Sequence, residues 1–232
     1  MPIPWLDSDQ LSFPAIDQAA SEPDGLLAAG GDLSVERLVL AYKSGIFPWY
    51  EDGQPILWWS PDPRMILQPD QLRISKSLNK LIRRELYTVS FDQCFPDVIQ
   101  KCSEARPNSN GTWITEEMQS AYCEFHKAGF AHSVEVFNGE TLVGGLYGVS
   151  MGQVFFGESM FSLEPNTSKL ALVVLVKQLQ QWNYKLIDCQ VSSEHLLSLG
   201  ANEISRQEFA AELERLTSQP GKPGLWNLEP GT

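Results

Sequence analysis

Hydrophobic and polar positions alternate most sharply at Val154-Phe155-Phe156-Gly157-Glu158-Ser159-Met160-Phe161. β-Branched and aromatic residues dominate this run, which predicts a strand. Period-two alternation puts Val154, Phe156, Glu158 and Met160 on one face, and Phe155, Ser159 and Phe161 on the other. The first face carries a carboxylate between a phenylalanine and a methionine. The run Lys185-Leu186-Ile187-Asp188-Cys189-Gln190-Val191 behaves similarly, with Asp188 and Gln190 on one side and Ile187, Cys189 and Val191 on the other. A polar group left unpaired in such surroundings costs about 1–3 kcal/mol. The two strands imply either a paired structural network or a working site.

Around them the pattern predicts a meander. Strands over 132–137 and 141–149 are joined by Asn138-Gly139, a strong hairpin signal, and Met151-Gly152 turns into 153–161. A long apolar helix opens at Thr167 or Ser168 and runs to about residue 182. A short helix ends at Gly200, and the capping box Ser205-Arg206-Gln207-Glu208 opens a helix to about residue 216. Earlier, Ser34 caps a helix over 35–44 that Gly45 ends. A short strand over 65–67 precedes a helix over 76–85, capped by Ser75. A helix over 95–104, a loop over 106–111 and a helix from Thr115 to about residue 128 follow. The whole predicts an α+β chain with a mixed central sheet. A small N-terminal domain covers 1–62 and the sheet domain 63–232, with the Pro/Gly-rich tail after about 217 loosely ordered.

Two segments carry more than a fold signal. Trp49, Trp58 and Trp59 fall within eleven residues, among prolines. They fit an aromatic mini-core or a flat platform for bases, where stacking is worth about 1–3 kcal/mol per base. In the helix over 76–85, Lys76, Lys80, Arg83 and Arg84 fall on one side and Leu78, Leu81 and Ile82 on the other. That basic side is a solvated face or a contact for a polyanion, since phosphates are held by Lys and Arg without sequence information.

Composition narrows the classes. The 232 residues are 43% hydrophobic, enough for one large domain or two small ones. The net charge of −12 argues against broad nonspecific nucleic-acid binding, so the local basic side stands out. No apolar run is long enough to span a bilayer, and residues 1–7 lack the basic start and apolar core of a signal peptide. Cys94, Cys102, Cys123 and Cys189 form no CxxC pair and are expected as free thiols in a reducing cytoplasm. His126, His132 and His195 are scattered without ligand spacing, so no structural metal is expected. Gly30-Gly31 lacks the GK[ST] ending of a phosphate loop.

Seven blocks stand in order along the chain: Gly25-Leu26-Leu27-Ala28-Ala29-Gly30-Gly31-Asp32-Leu33, Gly45-Ile46-Phe47-Pro48-Trp49, Trp58-Trp59-Ser60-Pro61-Asp62-Pro63-Arg64, Gly111-Thr112-Trp113-Ile114, Gly144-Gly145-Leu146-Tyr147-Gly148, Phe156-Gly157-Glu158-Ser159-Met160-Phe161 and Leu186-Ile187-Asp188-Cys189-Gln190. Together they resemble the bacterial leucyl/phenylalanyl-tRNA–protein transferases over about residues 10–216. The resemblance implies that the C-terminal domain has an N-acetyltransferase-like (GNAT-like) fold. It implies an aminoacyltransferase that moves Leu or Phe, and less well Met, from aminoacyl-tRNA to the α-amine of proteins beginning with Arg or Lys. The product is marked for degradation by the N-end rule pathway. ATP, metal and coenzyme A are not consumed, and the enzyme is expected as a cytoplasmic monomer.

The resemblance also assigns residues. Trp49 and Trp113 match positions around the terminal adenosine of the tRNA, and Lys76, Lys80, Arg83 and Arg84 match a helix under the acceptor stem. Leu146, Phe155, Met160 and Ile187 are candidates for the apolar aminoacyl pocket. Leu146 stands where the family block carries methionine; the two are similar in volume and unbranched at Cβ. The reaction is aminolysis of an activated ester, which needs positioning and proton management. Asp188 is the candidate to orient or deprotonate the amine, with Gln190 accepting from it and Glu158 holding the ammonium or guiding Gln190. A relay through Asp188 and Gln190 and assistance by the substrate's ribose hydroxyl both remain open. Three rivals stand beside this reading. An acetyl-CoA transferase would want glycines at 162–167, where the chain reads Ser-Leu-Glu-Pro-Asn-Thr. A noncatalytic RNA-binding module leaves the carboxylates unexplained. A cysteine hydrolase on Cys189 and His195 meets a thiol turned away from Asp188.

Overall fold

A computed structural model describes residues 3–104 and 112–228. The expected loop over 106–111 lies outside the described residues. Two sheets carry the chain. The first is built from β1 (Trp5–Leu6), β2 (Leu26–Gly30), β3 (Phe47–Pro48) and β4 (Leu57–Trp59), in the order β1-β2-β4-β3. Helix α1 (Val35–Lys43) connects β2 to β3, with the Ser34 hydroxyl accepting from the Arg37 N–H as its cap. The sequence pattern misses β2 because Ala and Gly are poor strand formers by themselves, and β1, β3 and β4 because two or three residues are too short to show a period; β2 becomes a strand through its partners on both sides.

The second sheet has seven strands in the order β11-β5-β10-β9-β8-β7-β6. These are β5 (Arg64–Leu67), β6 (Thr88–Phe91), β7 (Ala131–Asn138), β8 (Thr141–Met151), β9 (Val154–Ser162), β10 (Leu186–Gln190) and β11 (Asn202–Ile204). The β7-β8-β9 meander forms as its turns predict. The pairing is antiparallel except between β9 and β10, which run parallel because α5 (Thr167–Gln181) carries the chain back between them. Helices α3 (Phe95–Glu104) and α4 (Glu116–Lys127) pack on one face of this sheet and α5 on the other. The α3/α4 face is continuous with the first sheet: Tyr42 and Trp58 share one apolar cluster with Tyr122, Val154 and Phe156. Helix α6 (Glu194–Ser198) is the short helix expected before Gly200, and α7 (Arg206–Thr217) opens on the predicted capping box.

Helix α5 opens at Thr167, as expected, and the Thr167 hydroxyl donates to the Val143 carbonyl at 2.9 Å. Three expectations need correction. Helix α2 (Lys76–Ile82) stops short of residue 85, and Glu85 has φ of 49°. The tail is not loose through residue 228, because Trp226 is 1% exposed and sits in an aromatic cluster with Phe155, Trp182 and Tyr184. Most consequential, the strict alternation expected of residues 154–161 does not hold. Tyr147 pairs with Ser159 and Gly148 with Gly157, so Glu158 is the extra residue of a bulge. The bulge reverses the faces beyond it. Phe161 joins Val154 and Phe156 on the α3/α4 side, and Met160 joins Phe155 on the α5 side.

Candidate active site

The parallel pairing of β9 and β10 runs from Leu186 opposite Val154 to Asp188 opposite Phe156 and stops there. Beyond it both strands bulge. In β10, Asp188 lies opposite Ile66 and Gln190 opposite Met65, which leaves Cys189 as the extra residue. Gln190 takes a left-handed backbone with φ of 64°, a conformation that costs a non-glycine residue about 1–2 kcal/mol. Two bulges on adjacent strands turn Glu158 and Gln190 toward each other, and the Gln190 amide donates to Glu158 Oε1 at 2.9 Å.

Asp188 holds this corner from beneath. It is fully buried and receives Arg64 Nε on Oδ1 at 2.8 Å and Arg64 Nη2 on Oδ2 at 2.7 Å. The guanidinium lies over the rings of Phe47, at 4.9 Å, and Phe209, at 4.6 Å. Asp188 Oδ1 also accepts the Gln190 backbone N–H at 2.9 Å, which offsets the cost of the left-handed turn. Asp188 therefore acts on Gln190 through the backbone and does not border either cavity described below. Arg64 closes one of the sequence blocks, where the pattern gives it no role. The signal that could have found it is a lone arginine at the head of an otherwise apolar strand, which needs an acidic partner.

Glu158 has a second set of partners. The Tyr42 hydroxyl donates to Glu158 Oε1 at 2.7 Å, and the Tyr42 and Tyr122 hydroxyls form a short hydrogen bond with each other. Among the described residues, Glu158 Oε2 is buried without a partner. Burial pushes the Glu158 carboxyl up to about 8, the nearby Asp188 carboxylate adds to the rise, and the bonds from Tyr42 and Gln190 partly oppose it. Burial also raises both tyrosine hydroxyls, with the Glu158 charge adding to it, so they remain neutral donors. The sequence pattern singles out neither tyrosine: by spacing, Tyr42 is one more apolar position of its helix. A buried tyrosine hydroxyl calls for a partner, and that is the signal available.

Glu158 borders two cavities. One, of about 350 Å³, lies on the α5 side and is lined by Leu146, Phe155, Met160, Leu172, Leu175 and Ile187, with Cys189 and His195 also bordering it. All four expected pocket residues therefore meet, and the Glu158 bulge is what brings Met160 round to Phe155. The other, of about 470 Å³, is lined by Trp49, Trp59, Trp113, Gln190 and Val191. Trp49 is 47% exposed and packs edge-on against Trp59 at 5.5 Å, while Trp58 is fully buried and donates to the Gly30 carbonyl. Trp58 is core, as the first alternative has it, while Trp49 and Trp59 line an open groove. Lys76, Lys80, Arg83 and Arg84 are all exposed, and none forms an ion pair among the described residues. They border neither cavity. Cys189 is a free thiol that burial pushes well above its ordinary range, the opposite of an activated nucleophile. Among the described residues no cluster of three His, Cys, Asp or Glu could hold a metal ion, and no helix is long and apolar enough to cross a membrane.

Comparison with known proteins identifies the family. A model described as leucyl/phenylalanyl-tRNA protein transferase matches residues 66–214, and a model of that family's N-terminal domain matches residues 31–62. The chain belongs to this family. It is 59% identical over 216 residues to the leucyl/phenylalanyl-tRNA–protein transferase of Pseudomonas putida, covering 93% of this chain and 96% of the relative. Against the protein of that name from Cellvibrio japonicus the identity is 56% over 218 residues, covering 94% and 93%. The chain is an aminoacyltransferase by this membership. Two solved structures are more distant. L-PGS from Bacillus licheniformis is 14% identical with a TM-score of 0.41, covering 68% of this chain and 51% of that one. A GCN5-related N-acetyltransferase from Kribbella flavida is 9% identical with a TM-score of 0.37, covering 72% and 60%.

Proposed function

We propose that this transferase moves Leu or Phe, and less well Met, from aminoacyl-tRNA to the N-terminal α-amine of proteins beginning with Arg or Lys, as a cytoplasmic monomer feeding the N-end rule pathway. The observation that carries the reading is the place of Glu158 and Gln190, where an apolar cavity of about 350 Å³ meets a tryptophan-lined groove of about 470 Å³. An aminoacyl-adenosine has that division: an apolar side chain, a flat base and an ester between them. The side chain enters the cavity among Leu146, Phe155, Met160 and Ile187, which reject polar side chains because lost hydration is not replaced. The adenine stacks in the groove with Trp49 and Trp113. The acceptor stem runs toward Lys76, Lys80, Arg83 and Arg84, which hold phosphates.

The incoming amine must lose a proton, attack the ester carbon, and release the ribose oxygen with a proton. A Glu158 carboxyl raised to about 8 is poised to exchange that proton near neutral pH. The Gln190 amide gives its N–H to Glu158, which leaves its carbonyl oxygen to accept from the ammonium and fix the line of attack. Asp188 is a positioning residue in this scheme, pinning Gln190 and paired to Arg64. The acetyl-CoA reading fares worse at the start of α5. There Glu164 accepts from Tyr87 at 2.7 Å and Asn138 at 3.0 Å, a carboxylate in the region where a pyrophosphate would need donors.

The test is transfer of labelled phenylalanine from Phe-tRNA to a protein beginning with Arg, beside the same protein beginning with Met. Transfer to the Arg protein alone establishes reaction, donor and acceptor class. Binding of the tRNA without transfer to either would favour the noncatalytic RNA-binding module.

A further inference from the structure

Phe155 is the aromatic wall of the apolar cavity, and its ring is held from outside that cavity. On one side is the backbone of Gly148, where an added Cβ would meet Phe155 Cζ at 2.5 Å. On another is Trp226, its ring centroid 5.9 Å from that of Phe155 at an interplanar angle of 37°. Trp226 borders no part of the cavity. It comes from the strap over 219–228, beyond the stretch 66–214 that defines the family match.

The strap is anchored independently of Phe155. Trp226 stacks on His132 with centroids 3.8 Å apart and planes 3° from parallel, and it meets Trp182 at 4.9 Å. Its backbone N–H donates to Asp92 Oδ2 at 2.6 Å, and the Lys222 N–H donates to the Tyr184 hydroxyl at 3.1 Å. Gly221 passes so close to the β8–β9 turn that a Cβ there would meet the Gly152 carbonyl oxygen at 2.2 Å. A fixed indole on one side and a strand backbone on another leave the Phe155 ring one depth.

We propose that Trp226 is a positioning residue for donor selection: through Phe155 it sets the depth of the aminoacyl cavity, and so the ratio in which Phe and Leu are accepted. The proposal rests on the aminoacyl-tRNA reading of the cavity. Removing the indole lets the Phe155 ring retreat, which deepens the cavity and favours the larger side chain.

The experiment measures kcat/KM for Phe-tRNA and Leu-tRNA with wild type, Trp226→Ala, Trp226→Phe and Leu225→Ala, all in the full chain. Kd values for amide-linked phenylalanyl- and leucyl-adenosine give the same ratio without chemistry. A small change in a pocket's fit is worth tenfold or more in selectivity, so an indirect one should raise the Phe-over-Leu ratio about fivefold in Trp226→Ala and about threefold in Trp226→Phe. Leu225→Ala, at an exposed neighbour in the same strap, should leave the ratio unchanged. A wild-type ratio in every Trp226 variant that melts cooperatively overturns the proposal. Absence of transfer by the wild-type chain would defeat the functional reading alone, because the Kd ratio still answers for Trp226. Failure of the wild-type chain to bind either analogue overturns both.

Discussion

The apolar cavity and the polar corner at its mouth share two strands and are built on opposite principles. The cavity wall comes from Leu146, Phe155, Met160 and Ile187, each of which needs only apolar neighbours of the right total volume. The corner comes from Arg64, Asp188, Gln190, Glu158, Tyr42 and Tyr122, each of which needs particular partners. Hydrophobic contact is non-directional and forgiving of exchange. Buried charge and hydrogen bonding are not, because a partner removed leaves the other group desolvated and alone. The cavity can therefore drift in sequence while the corner cannot change one residue at a time.

The largest test of this contrast is Asp188→Ala beside Leu146→Met. The first strands a buried guanidinium and should cost about 3–5 kcal/mol; the second conserves volume and should cost under about 1.5 kcal/mol. Urea denaturation of both decides it. Equal losses would erase the distinction between the two regions. Turnover should also fall in Asp188→Ala while tRNA binding survives, since Asp188 lies under the reaction site and away from the groove.

A smaller effect separates the corner by pH. Burial first, then Asp188, raises the Glu158 carboxyl from the ordinary 4.5 to about 8. Between those values the folded chain holds a proton that the unfolded chain has released, so folding stability from this group is present at low pH and lost as pH rises toward 8. Glu158→Gln cannot titrate, and its stability relative to wild type should improve between about pH 5 and pH 8. A constant difference across that range would show that the carboxyl is not raised. In activity, wild type should show a titration near 8 that the glutamine variant lacks.

The smallest effect on the fold is expected at the basic helix. Replacing Lys76, Lys80, Arg83 and Arg84 by Ala should leave stability within about 0.5 kcal/mol, since all four are exposed. It should weaken tRNA binding and flatten its salt dependence by about 0.7–0.9 in log–log slope for each phosphate no longer neutralised. A wild-type salt titration that is already flat would remove these residues from the tRNA path.

How far the chain could be read in advance follows the same division. The meander, the capping box of α7 and the hydroxyl caps of α1, α2 and α4 were legible, because they depend on turn chemistry and local hydrogen bonds; the cavity residues came from the family resemblance, since alternation by itself puts Phe155 and Met160 on opposite faces. The pairing of Asp188 with Arg64 was not, because the two are 124 residues apart and nothing local in either strand names the other. Nor was the burial of the tail. Trp226 sits in a Pro/Gly-rich stretch without periodicity, and only a preformed aromatic cluster gives it somewhere to go.

The sequence by itself determined the strands β5, β8, β9 and β10 that carry the polar corner, which side chains are apolar enough to form a cavity, and the family to which the chain belongs. The tertiary structure decided which way those side chains face. Alternation counts residues, and a bulge adds one to the count where two strands fail to match in length. At Glu158 and Cys189 the extra residue exists only in the pairing with the neighbouring strands, β8 and β5. It turns Glu158 and Gln190 toward each other, which a period of two cannot do.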